Sequence, residues 1–134
     1  MKLVLCCLVV LLALAAATAQ AATRDCGTLS VRSGSVYQGA RNGPTCFLAA
    51  FERCRAATFT LSVFGLDTVA TDVFRVVARG ACRVEVAGTF HVVPQKPHSL
   101  SAVCRAVRRS GADVVAVGCT GSLQGPISLT GRSS

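Results

Sequence analysis

The chain has 134 residues, with 14 lysines and arginines against six acidic residues, so its formal net charge is +8 at pH 7. This length is enough for one domain and too short for two. Eight cysteines in so short a chain are typical of an exported protein with disulfide bonds, and they argue against a cytosolic enzyme.

Residues 1–19 predict a cleaved secretory signal peptide. A short positive start precedes an apolar stretch at residues 3–17, and small residues around Ala19 fit a signal peptidase site. We expect cleavage after Ala19, with cleavage after Ala21 as the alternative. Because the apolar stretch is shorter than the about 20 residues that span a bilayer, we expect an extracellular or periplasmic protein without stable membrane insertion.

The rest of the chain predicts a single α+β domain at residues 43–130, preceded by an N-terminal arm at 20–42 and followed by a frayed tail at 131–134. Residues 44–56 carry apolar side chains at helical spacing. Alternating apolar side chains then predict strands at about residues 59–63, 71–79, 83–93, 99–108 and 114–120, and shorter segments at 28–31 and 127–129 could add two more. We therefore expect one N-terminal helix packed on a curved antiparallel β-meander of four to five strands, stabilised by disulfides.

Six cysteines remain once the signal peptide is removed, namely Cys26, Cys46, Cys54, Cys82, Cys104 and Cys119. Cys46 and Cys54 would lie about 12 Å apart along one helix, whereas a disulfide needs Cα atoms within about 7 Å. Cys104 and Cys119 are symmetric about a turn at residues 111–112, so a hairpin would place them opposite each other. Cys54–Cys82 would then clamp the helix to the sheet and Cys26–Cys46 would fasten the arm, but the pairing of these four stays open.

Six arginines cluster around two of the predicted hairpins, namely Arg75, Arg79, Arg83, Arg105, Arg108 and Arg109. If the hairpins are neighbours, these side chains form a basic rim that attracts an anionic polymer or an acidic extracellular protein. The alternative is that they are solvated cations on the wet face of the sheet. No aromatic side chains are interleaved with them, so we do not expect nucleic acid as the partner.

A different chemistry could come from His91, Lys96 and His98, which lie around a loop bracketed by two prolines. One imidazole could accept a proton, the other could donate one and the lysine could hold a phosphate, as in the cleavage of RNA. Loops carry polar side chains for many reasons, however, so we assign no catalytic residues and keep a ribonuclease-like hydrolase as an alternative. The chain has no CxxC or HExxH motif, and we predict neither a metal site nor a cofactor.

The segment CFLAAFERC at residues 46–54, with GLDT at 65–68 and GAC at 80–82, resembles a group of small secreted bacterial proteins that share a CFxxAFxxC helix and six cysteines. The group has no assigned activity, so the resemblance implies no site residues. A helix followed by a meander is also similar to cystatin-like domains at the level of the fold. The Gln-x-Val-x-Gly loop of those inhibitors is missing here, and the inhibitory activity is therefore not implied.

Together these observations favour a non-enzymatic, cationic, secreted binding module, which we expect to be a monomer. Its expected partner is an extracellular protein or an anionic component of the cell envelope. The alternatives are the small secreted hydrolase and a cationic antimicrobial or inhibitory protein.

Overall fold

The computed structural model describes residues 21–32 and 35–132, so the predicted signal peptide lies outside the described residues. Within the described part of the chain, one helix and eight strands follow each other in this order: β1 Arg24–Arg32, β2 Val36–Gly39, α1 Gly43–Glu52, β3 Ala57–Phe64, β4 Thr68–Val77, β5 Arg83–Val92, β6 His98–Ser110, β7 Asp113–Gly121 and β8 Ile127–Ser128.

All eight strands belong to one sheet, in the order β2-β1-β3-β4-β5-β6-β7-β8. Neighbouring strands are antiparallel except for β1 and β3, which run parallel. A parallel pair needs a long crossover connection, and here the chain between β1 and β3 contains both β2 and α1. The helix therefore lies within the β1–β3 connection.

The predicted fold, one helix packed on an antiparallel meander of four to five strands, is wrong. The described residues are 59% strand and 9% helix, and their eight strands curl into a half-barrel. Both β1 and β2 lie within the predicted arm at residues 20–42, and both belong to the sheet. The alternating pattern of β3 reveals a strand but cannot reveal a parallel partner that precedes it by more than 20 residues.

Alternating buried residues, clearest in β3, β5 and β7, place the apolar core on one face of the sheet. Phe59 of β3 pairs directly with Phe74 of β4, and Phe47 of α1 packs against both, with ring centroids 6.0 to 6.4 Å apart. All three rings are fully buried. Pro44 starts the helix in the first turn, where its missing N–H is not needed.

The end of the chain bridges the two sides of the curled sheet. Leu129 follows β8, its side chain is fully buried, and its N–H donates to the carbonyl of Val114 in β7 over 2.8 Å. Two residues later, a Cβ placed on Gly131 would lie 3.1 Å from Val31 of β1 and 3.3 Å from Val63 of β3. Residues 129–131 therefore connect the β7 side of the half-barrel to the β1 side.

Two disulfides confirm the prediction that the protein contains disulfide bonds. Cys26 of β1 is joined to Cys46 of α1, and Cys104 of β6 is joined to Cys119, its direct partner in β7. Cys54 and Cys82, the third pair proposed from the sequence, are free thiols in this structure, and their pairing stays a prediction. These disulfides indicate an oxidising compartment, extracellular or periplasmic.

Candidate functional site

The six arginines predicted as one rim are distributed over several places. The β4–β5 and β6–β7 turns do lie at the same end of the sheet, as alternate turns of antiparallel strands must. Arg83, however, donates to Glu85 over 3.3 Å on its own strand, and the Arg105 guanidinium lies over Gly118 of β7. Arg108 and Arg109 line two different cavities beside the β6–β7 turn.

Arg75 and Arg79 belong to a larger basic surface at the C-terminal end of α1. Two adjoining cavities of about 450 and 540 Å³ share Ala21, Arg55 and Ala56. Five exposed arginines line them: Arg24, Arg53, Arg55, Arg75 and Arg79. We call these five side chains the helix-end surface. No acidic side chain of the described residues lines either cavity.

The geometry of the helix terminus explains how these arginines meet. The Cys54 N–H donates to the Phe51 carbonyl and the Arg55 N–H donates to the Ala50 carbonyl, over 2.8 and 2.9 Å. This is a Schellman motif, and its left-handed residue is Cys54, at φ 47°. The motif reverses the chain toward β3, where the Arg24 N–H donates to the Ala56 carbonyl over 2.9 Å.

The helix contributes to the electrostatics of this surface. Its last carbonyl groups carry a partial negative charge, which favours nearby cations such as Arg53 and Arg55. Five exposed guanidinium groups still leave a strongly positive surface. Each guanidinium offers five N–H donors in a planar fork that matches carboxylate and phosphate oxygens. The helix-end surface is therefore suited to an extended anion.

Three members of this surface were not predicted from the sequence, namely Arg24, Arg53 and Arg55. They come from β1 and the helix terminus, and only the parallel β1–β3 pairing brings these segments together. The sequence did contain a signal for a basic surface at the end of the helix, since Arg53 and Arg55 flank a cysteine at the predicted helix end.

The two free thiols lie beside this surface. The Cys82 thiol donates to the Phe51 carbonyl over 3.8 Å, which places the β4–β5 turn against the end of α1. Burial raises the pKa of Cys82 to about 11, and the neighbouring Cys54 side chain contributes to this rise. At neutral pH this thiol is protonated and therefore a weak nucleophile.

The histidines do not form a shared site. His98 of β6 pairs with Phe90 of β5, so His91, the next residue, projects from the opposite face of the sheet. Lys96 is exposed in the loop between the two strands. An acid–base mechanism with two imidazoles needs both rings against one phosphate, and this register separates them.

Comparison with protein-family models, with curated proteins and with solved structures finds no match to this chain. The resemblance to small secreted bacterial proteins therefore stays a prediction. No helix in residues 21–32 and 35–132 has the length and apolar character needed to cross a membrane.

Proposed function

We propose that this protein is a secreted, non-enzymatic binding module that engages an anionic polymer of the cell envelope through the helix-end surface. The observation that carries the proposal is the set of five exposed arginines around two adjoining cavities that no acidic side chain of the described residues lines. A polymer fits this surface better than a small ligand because the two cavities share three lining residues and their arginines come from β1, from β4 and the turn that follows it, and from the end of α1.

The net charge supports the same conclusion. Without the predicted signal peptide, which contains Lys2, the chain has 13 cations against six acidic residues, a net charge of +7. Such a charge attracts anionic partners over distances of the order of the Debye length, about 8 Å at physiological salt. An acidic extracellular protein would bind the same surface, and binding of such a protein is the second form of the proposed function.

The test is binding of a fluorescent poly(glycerol phosphate) chain and of poly-L-glutamate to the mature protein at several salt concentrations. We expect the first polymer to bind more tightly and its affinity to fall as ionic strength rises. Replacing Arg55 and Arg75 by alanine should weaken binding by about fivefold or more.

The matched control replaces Arg83 and Arg105, which removes the same charge outside both cavities. Equal losses in the two double variants would show that net charge acts rather than the helix-end surface, and would overturn the proposal. Tighter binding of poly-L-glutamate would assign an acidic protein as the partner instead.

The alternatives predict different results. A ribonuclease-like hydrolase should cleave RNA, and replacing His91 and His98 should abolish that cleavage. The binding module should leave RNA intact and keep its polymer affinity in the same variant. A cationic antimicrobial protein should release dye from anionic vesicles, which the binding module should not do.

A further inference from the structure

A second group of arginines surrounds a smaller cavity near the first turn of α1. The cavity has a volume of about 250 Å³ and lies between the first hairpin, the β6–β7 turn and the C-terminal segment. Arg41, Arg109 and Arg132 line it, and we call it the arginine cavity. We propose that the arginine cavity binds a compact phosphate or sulfate monoester, whose oxyanion is held by these three guanidinium groups.

The cations in this cavity outnumber the carboxylates near them. No acidic side chain of the described residues lines the cavity. Asp113, which is next to it in the chain, accepts hydrogen bonds from the Val114 N–H and from the Thr130 hydroxyl. Its carboxylate supports the wall of the cavity at Thr130, and its charge also acts on Arg132 and raises the pKa of that side chain. One carboxylate outside the lining faces three cations, and a bound oxyanion would supply further negative charge.

One of the three guanidinium groups is already held by a hydrogen bond to Tyr37 of β2, and a second lies beside the same residue. The Arg41 Nη2 donates to the Tyr37 carbonyl over 3.2 Å. The Tyr37 hydroxyl lies beside the Arg132 guanidinium and raises the pKa of Arg132. Side chains that are held in place before binding lose less conformational entropy when the ligand arrives.

The size and walls of the cavity indicate the kind of ligand. Its volume is below the range of about 300 to 1,000 Å³ that is usual for drug-sized ligands, which favours a compact molecule over a polymer. Leu29, Pro44 and Val114 form buried apolar walls. A monoester has both parts that this lining requires, a multiply charged or strongly accepting oxyanion and a small body that packs against apolar side chains.

The test is calorimetric titration of the mature protein with four matched probes: phenyl phosphate, phenyl sulfate, benzoate and phenol. We expect the two esters to bind, benzoate to bind about tenfold more weakly, and phenol to show no heat of binding. Tighter binding of phenyl phosphate than of phenyl sulfate assigns a phosphate ligand, and the reverse assigns a sulfate ligand. Absence of ester binding, or binding of phenol as tight as that of the esters, overturns the proposal.

Arg108 and Arg109 provide a matched pair of variants. They are adjacent, both are exposed, and Arg109 lines the arginine cavity whereas Arg108 does not. Arg109→Ala should weaken phenyl phosphate binding by about tenfold or more, because a charged hydrogen-bonding partner is lost. Arg108→Ala removes the same charge and should change the affinity by less than about twofold. Equal weakening in both variants would show a general charge effect and would overturn the proposal.

This inference does not depend on the helix-end surface. Replacing Arg55 and Arg75 should leave phenyl phosphate binding unchanged, and Arg109→Ala should leave polymer binding unchanged. Failure of one proposal is therefore distinguishable from failure of the other. Thermal unfolding of each variant confirms that the folded protein was titrated.

Discussion

At the scale of single residues, Asp72 is a carboxyl group whose burial disfavours its charged form. It lies in β4 opposite Gly88 of β5, and a Cβ on Gly88 would overlap the Asp72 carboxylate. The glycine thus provides the space that this carboxyl group occupies. Burial raises the pKa of Asp72 above its ordinary value of 3.8.

We predict that Asp72→Asn increases the free energy of unfolding at pH 7. The folded state binds the Asp72 proton more tightly than the unfolded chain does. The native protein therefore loses stability as pH rises from 3.8 to the raised pKa, and the loss is complete above it. Urea unfolding between pH 3 and pH 7 should show that the free energy of unfolding of the Asp72→Asn variant exceeds that of the native protein by an amount that grows with pH. A difference that stays constant with pH would contradict this assignment.

At the scale of elements, the end of α1 combines an uncommon backbone conformation with a neighbouring thiol. Cys54 occupies the left-handed position of the Schellman motif, where glycine is usual, and a side chain there costs roughly 1 kcal/mol. A cysteine at this position is explained if its sulfur bonds to Cys82, as the sequence analysis predicted.

We predict that glutathione disulfide joins Cys54 to Cys82. In this exchange two protein thiols become one disulfide, and glutathione disulfide is reduced to two molecules of glutathione. A peptide map of the non-reduced protein should recover the linked pair, and the bond should add about 3 kcal/mol to the free energy of unfolding. Cys82→Ala is the control, since it should keep the other two disulfides. Recovery of Cys54 and Cys82 as separate thiols after oxidation would contradict the prediction.

The strands show how much of the fold could be predicted from the sequence. The strands from β3 to β7 have alternating apolar residues, and their predicted bounds differ from the structure by a few residues at most. β2 has only four residues, and the polar segment at 24–28 of β1 carries no alternation that reveals its pairing. Arg75 and Arg79 of the helix-end surface were predicted from local clustering, whereas Arg24 was not, because it depends on the long-range β1–β3 contact.

At the scale of the whole molecule, Leu129 joins the last segment of the chain to the core. Its side chain is fully buried, whereas Leu66 at the β3–β4 turn is fully exposed. We predict that Leu129→Ala lowers the free energy of unfolding by about 2 to 5 kcal/mol, because it leaves a cavity between the two sides of the half-barrel. Leu66→Ala, measured by the same urea unfolding, should change it by less than about 0.5 kcal/mol. Similar small effects of both substitutions would show that the C-terminal segment does not hold the sheet together.

The contacts of residues 129–131 also have a consequence for how the folded protein opens. Leu129 is hydrogen-bonded to β7 and Gly131 lies against β1 and β3, so these residues must detach before the two sides of the half-barrel can separate. We therefore expect amide hydrogens in the buried parts of β1 and β7 to exchange with solvent only through openings that release this segment.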